Sequence, residues 1–150
     1  MQSDEYALWA IAFLFEGMNQ GVSGFNIWCL HEMYYPGGQK MNYGLWNFDE
    51  TWSQRPVFFA WSMLTQNTKA GDSIYPCTTN HPDLKAIRIN DTLFFANLGD
   101  TDLTLSIAEP DINAIERFSP GVGEAATRAI SDNEKINIPA KSFGRLYKKS

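Results

Sequence analysis

Residues 84–107 read LKAIRINDTLFFANLGDTDLTLSI. Ile87 and Ile89 alternate with Arg88 and Asn90, the period of a half-buried strand. Asn90-Asp91 is a plausible hairpin turn into TLFFANL. Gly99-Asp100 turns the chain again, into Leu103, Leu105 and Ile107, which alternate with Thr104 and Ser106. Farther on, AIERFSP, EKINIPA and SFGRLYK read as three more short strands. Regular short strands with turn signals between them predict an antiparallel β-sandwich over residues 84–150.

Upstream the pattern changes. All five Trp lie before residue 62, and 16 of the 21 Phe, Trp and Tyr lie at or before Tyr75. The stretch PCTTNHP at 76–82 reads as a linker or a tight crossing. A helix is expected from Ser3, which can cap it, with Asp4 and Glu5 at the positive end of its dipole. Leu8, Ile11, Ala12 and Phe15 form one stripe. Trp9, Phe13 and Leu14 lie off it, so the helix is apolar nearly all round and expects cover on most sides. GFNIWCL at 24–30 reads as a fully buried strand of the parallel type. A long aromatic loop follows at 31–52, and long loops are usually functional. A second helix is expected from Pro56 to residue 67 with Val57, Ala60, Trp61 and Leu64 inward. Residues 1–75 thus read helix, buried strand, loop, helix, a piece of a β/α repeat whose single parallel strand needs neighbours from elsewhere.

The 150 residues carry 44% apolar side chains and a formal net charge of −5. That composition suits a packed core and argues against a nucleic-acid partner, which calls for a basic stripe. No apolar run approaches the ~18 residues of a membrane span, and MQSDEYALW lacks the basic start of a signal peptide. Cys29 and Cys77 are too few for a disulfide framework. They read as two thiols, with one bridge possible in an oxidising compartment.

The candidate site lies on the loop. Trp28 is either a core residue or a flat surface on which the apolar face of a sugar ring can stack. His31, Glu32, Tyr34 and Tyr35 follow directly. His31 and Glu32 either bind ligand hydroxyls or form a solvated pair. A zinc HExxH motif would need histidine where Tyr35 stands, so no metal is expected. Trp46, Asn47, Asp49, Glu50 and Trp52 either rim a cleft or pack the loop down with the acids in water. Asp49 and Glu50 are adjacent, which does not suit the opposed carboxylates of glycoside hydrolysis. No GxSxG or Cys/His nucleophile signature occurs, and Gly121-Val122-Gly123 is too little for a phosphate loop. Asn90-Asp91-Thr92 matches a glycosylation acceptor, although the hairpin turn explains it more simply.

The order of these features resembles the C-terminal part of clan-A-type retaining glycoside hydrolases, a (β/α)8 barrel followed by a β-sandwich. The resemblance is carried by GVSGFNIWCL, then NYGLWNFDETWSQRPVFFAWSMLTQNTKAGDSIY, LKAIRINDTLFFANLGDTDLTLSI and a closing INIPAKSFGRLY. It implies an α/β part followed by an all-β part. Residues 1–75 would be the last units of an incomplete barrel, joined to a β-sandwich over 84–150. It further implies a sugar cleft lined by Trp28, His31, Glu32, Tyr35 and Trp46, with carbohydrate and the remainder of the barrel as partners. The family uses two glutamates, after barrel strands four and seven, which would lie outside this chain, so no catalytic residue is expected here. No cofactor, metal, nucleic-acid or membrane role is expected. A complete barrel takes ~200–250 residues, so the resemblance implies a C-terminal fragment, inactive alone, of a secreted or periplasmic enzyme. The rival expectation is a non-catalytic carbohydrate-binding or structural β-sandwich module.

Overall fold

The computed structural model describes residues 3–48, 50–106, 111–118, 126–131 and 134–149. Asp49, Ile107 and Gly121-Val122-Gly123 lie outside them. The first helix, α1, runs Asp4–Asn19, and the Ser3 hydroxyl accepts the Tyr6 N–H at 3.3 Å as the cap. Two short strands follow, β1 (Met33–Tyr34) and β2 (Lys40–Met41), then helix α2 (Pro56–Thr65) with proline in its first turn. The rest is β: β3 (Ile74–Pro76), β4 (Leu84–Ile89), β5 (Thr92–Asn97), β6 (Leu103–Ser106), β7 (Ala114–Phe118), β8 (Ala126–Ala129), β9 (Lys135–Ile138) and β10 (Ser142–Tyr147).

Six strands form one antiparallel sheet in the order β3-β4-β5-β10-β7-β8, and β6 pairs with β9 in a second sheet. The expected sandwich is there, and β3 extends its main sheet upstream of residue 84. Asn90 turns β4 into β5 with φ at 49°, so that Ile89 faces Thr92. β8 went unnoticed in the sequence because all four of its residues are exposed and ATRA carries no apolar alternation.

The main sheet is covered on both faces, which explains why residues 93–96 of TLFFANL are apolar without a break. Successive side chains point to opposite faces. Phe94 and Ala96 meet Leu8, Ile11 and Phe15 of α1 and Val57 of α2, together with Ile87, Ile89 and Phe143. Phe95 packs on the other side with Leu84, Ile115, Leu146, Ile136 and Ile138 beneath the β6–β9 pair. Phe15, Phe94, Phe95 and Phe143 are all fully buried, each worth roughly 1.5–3 kcal/mol of transfer energy. The Lys85–Glu16 ion pair between β4 and α1 is half exposed and contributes about 1 kcal/mol at most. Apolar burial therefore holds the helices to the sheet. Gly144 permits the close fit in the middle: a Cβ there would meet the Phe95 ring at 2.7 Å and the backbone oxygen of Glu116.

The stretch 76–82 is a tight crossing. Cys77 N–H donates to Asn19 Oδ1 at 3.0 Å, Asn19 Nδ2 donates to the Ala86 carbonyl at 3.0 Å, and Thr79 Oγ1 donates to the Leu84 carbonyl at 2.7 Å. Asn97 does the same at the far end of the sheet. Fully buried, it donates to the carbonyls of Thr101 at 2.9 Å and Pro139 at 3.0 Å and accepts the Gly99 N–H at 3.0 Å. Replacing it by alanine orphans those groups. Asn97→Ala is expected to cost about 2–3 kcal/mol in urea unfolding. An unchanged midpoint would remove Asn97 from the framework.

One expectation fails. GFNIWCL is not a buried strand: residues 22–30 join no sheet, and Trp28 and Leu30 are 68% and 62% exposed. A strand needs a partner edge, and its chain neighbours here are a helix and a loop. Its ties are the Leu45 N–H to the Cys29 carbonyl at 3.3 Å, the Trp46 N–H to the Leu30 carbonyl at 3.0 Å and one parallel bridge between His31 and Trp46. The all-round apolar character of α1 has a matching consequence, since Trp9 and Phe13 are exposed on the face turned from the sheet. Leu14 is the exception, for it is buried in the core although off the expected stripe.

Candidate functional site

The loop from Cys29 to Arg55 is built around one buried cation. Arg55 and Glu32 are each 1% exposed and form an ion pair. The guanidinium also donates to Asn47 Oδ1 at 2.7 Å and to the carbonyls of Asn42 at 2.9 Å and Gly44 at 3.3 Å. The second carboxylate oxygen of Glu32 accepts the Phe48 N–H at 3.2 Å. Four separate points of the loop are thus gathered by the planar fork of a single arginine. Burial pulls the Arg55 pKa below its ordinary value, with the nearby Cys29 opposing it. The group nonetheless stays cationic at any working pH. Gly44 lets the strands close: a Cβ there would lie 2.6 Å from Glu32 N, against the backbone of His31.

Arg55 leads straight into α2, so the loop is anchored to the core. Its N–H donates to the Leu45 carbonyl at 2.9 Å, and its own carbonyl accepts the Phe58 N–H at 2.9 Å. A file of aromatic rings continues inward. Trp46 meets Phe58 at 4.7 Å, Phe58 meets Phe59 at 5.4 Å, Phe59 stacks on Phe118 at 5.3 Å, and Phe118 stacks on Phe143 at 4.7 Å.

The structure sorts the candidate residues accordingly. Trp28 is exposed at the start of the loop. His31 is exposed and packs its ring edge-on against Trp52 at 5.5 Å. Tyr35 is exposed on the turn closed by the Gly38 N–H to the Tyr35 carbonyl at 3.0 Å. Trp46 is half-buried against α2. Glu32 is neither solvated nor directed outward: its carboxylate is enclosed by Arg55 and Phe48, and it acts on the loop from beneath. Arg55 is the residue that sequence reasoning missed. The available signal was an arginine between an acidic, aromatic loop and a helix-opening proline. Among the described residues no group of three His, Cys, Asp or Glu is placed to hold a metal, and no helix is long and apolar enough to cross a membrane. Cys29 and Cys77 are not joined by a disulfide.

A cavity of about 440 Å³ lies elsewhere, between α1, α2 and Gly71–Ile74, with Leu14, Phe25, Trp61 and Leu64 among its walls. It shares no lining residue with the loop. The loop fixed by Arg55 carries the sequence candidates, and the cavity carries none of them.

In overall shape the chain matches solved structures. It superposes on the GH30 endoxylanase from Clostridium papyrosolvens with a TM-score of 0.62 and 10% identity, over 100% of this chain and 40% of that one. The chain's fold is similar to part of that enzyme's. The catalytic domain of GH30 xylanase C from Talaromyces cellulolyticus matches with a TM-score of 0.60 and 11% identity, over 71% of this chain and 27% of that one. The chain therefore spans less than half the length of either glycoside hydrolase. No family model matches it, and no curated protein does.

Proposed function

We propose that this chain is the C-terminal portion of a glycoside hydrolase acting on O-glycosidic bonds of oligo- or polysaccharides. On this reading residues 1–75 are the last units of a (β/α)8 barrel, and residues 22–30 pair with barrel strands supplied from outside the chain. Trp28, His31, Tyr35 and Trp46 face the sugar cleft, with Glu32 and Arg55 holding the loop in place. The two glutamates of a retaining mechanism belong to the remainder of the barrel. The observation that carries the reading is a superposition covering the whole chain but 40% of its xylanase neighbour. The exposed faces support it, since Trp9, Phe13 and the segment 22–30, which joins no sheet, leave apolar surface for further barrel units to cover.

The second reading is a non-catalytic carbohydrate-binding module. The core shared by α1, α2 and the sheet favours it, because the helices and the sheet bury apolar surface against each other within this chain.

The intact mass of the protein purified from its source cells separates the two. A product several hundred residues longer, active on aryl glycosides, is the expected result. A product of about the 17.0 kDa of this chain, with no hydrolysis, would overturn the first reading and leave the second.

A further inference from the structure

Three aromatic rings on the loop take no part in the core. Tyr34, Phe48 and Trp52 are 54%, 46% and 49% exposed, yet they pack on one another. Phe48 meets Trp52 at 5.1 Å and Tyr34 at 5.6 Å, in both cases edge to face, and His31 joins at 6.2 Å from Phe48 and 5.5 Å from Trp52. A ring at half exposure turns about half its surface to water. Together they make one contiguous aromatic patch, and exposed apolar patches on a rigid loop mark binding sites.

The patch is held ready. Phe48 is tied through its backbone to the buried Glu32–Arg55 pair. Trp52 has φ at 51°, a left-handed conformation uncommon for a bulky residue. Its neighbour Ser53 is fixed to Asn47 by two bonds, Asn47 N–H to the Ser53 carbonyl at 2.9 Å and Asn47 Nδ2 to Ser53 Oγ at 2.8 Å. Rings held in advance lose little freedom on binding.

His31 shows what kind of ligand suits them. Its Nδ1 lies 2.7 Å from the Glu32 carbonyl, which only accepts, so Nδ1 carries the proton. The His31 ring thus brings a polar group to the border of the Phe48 and Trp52 rings. Ring faces beside a polar group match a ligand with a C–H face bordered by hydroxyls, which describes a sugar. A lipid or apolar peptide offers that polar border nothing to bond. The net charge of −5 disfavours an anionic polysaccharide.

We infer that Tyr34, Phe48 and Trp52, with His31, form a second sugar-stacking platform, distinct from Trp28, for one residue of a neutral oligosaccharide. The inference rests on the carbohydrate reading above and adds an extended site to it. Calorimetric titration of the full chain with linear xylo- and cello-hexasaccharides tests the platform. Phe48→Ala and Trp52→Ala should each weaken binding about tenfold, additively with Trp28→Ala, while Trp52→Phe retains most of the affinity. Melting curves of each variant check its fold, and the Trp52→Phe comparison stands if an alanine variant unfolds. Loss with Trp28→Ala alone would overturn the platform and leave the carbohydrate reading in place. Failure of the unmodified chain to bind either sugar would also overturn the platform, while the glycoside-hydrolase reading stands or falls on the intact-mass measurement.

Discussion

Arg55→Ala is expected to destabilise the chain by about 3–5 kcal/mol, one of the two largest effects we anticipate. The reason lies in what is left behind. Removing the guanidinium strands the Glu32 carboxylate in a fully enclosed site and orphans the carbonyls of Asn42 and Gly44 and the Asn47 amide oxygen. A paired buried charge is only weakly stabilising against a well-packed apolar replacement, but an unpaired one is costly. Glu32→Gln should cost less than Arg55→Ala, because the amide oxygen still accepts from Arg55. Arg55→Lys should rescue little, because a single ammonium cannot reach acceptors spread around a planar fork. Urea unfolding of the three variants gives the comparison. If Arg55→Ala and Glu32→Gln shift the midpoint equally, the pair alone matters and the gathering of the loop carbonyls does not.

Phe143→Ala should cost about 3–5 kcal/mol, and its signature should reach well beyond β10. Phe143 is 1% exposed and ends the ring file that runs through Phe118, Phe59 and Phe58 to Trp46. It also belongs to the core that α1 and α2 share with the main sheet. A cavity there loosens both halves. All five tryptophans lie before residue 62, so their fluorescence reports the helices and the loop, while far-UV circular dichroism is weighted towards the sheet. In the unmodified chain the two probes should give one coincident transition, and Phe143→Ala should move both by the same amount. If fluorescence changes first and the sheet signal later, the helical part unfolds on its own and the shared core contributes less than its burial suggests.

The sequence by itself determined the elements whose signals are local. The strands β4, β5, β6, β7, β9 and β10 follow from alternation and turn residues, and α2 follows from proline at its start and its inward stripe. The sandwich follows from those. The position of the loop and its wealth of aromatic and polar groups were equally plain. Only the tertiary structure decided what those groups do. Glu32 reads as one half of a His-Glu pair beside a sugar. Its partner stands 23 positions later in the chain, as Arg55, and no local pattern records that meeting. GFNIWCL has the composition of a buried strand, but burial of a strand is a property of its neighbours, and without a pairing edge Trp28 and Leu30 stay in water. The run of apolar residues in β5 became intelligible once helices and a second sheet were seen on opposite faces. Periodicity and turn chemistry act over a few residues and are written in the chain. Pairing, enclosure and charge compensation join residues far apart, and they exist only when the chain is folded.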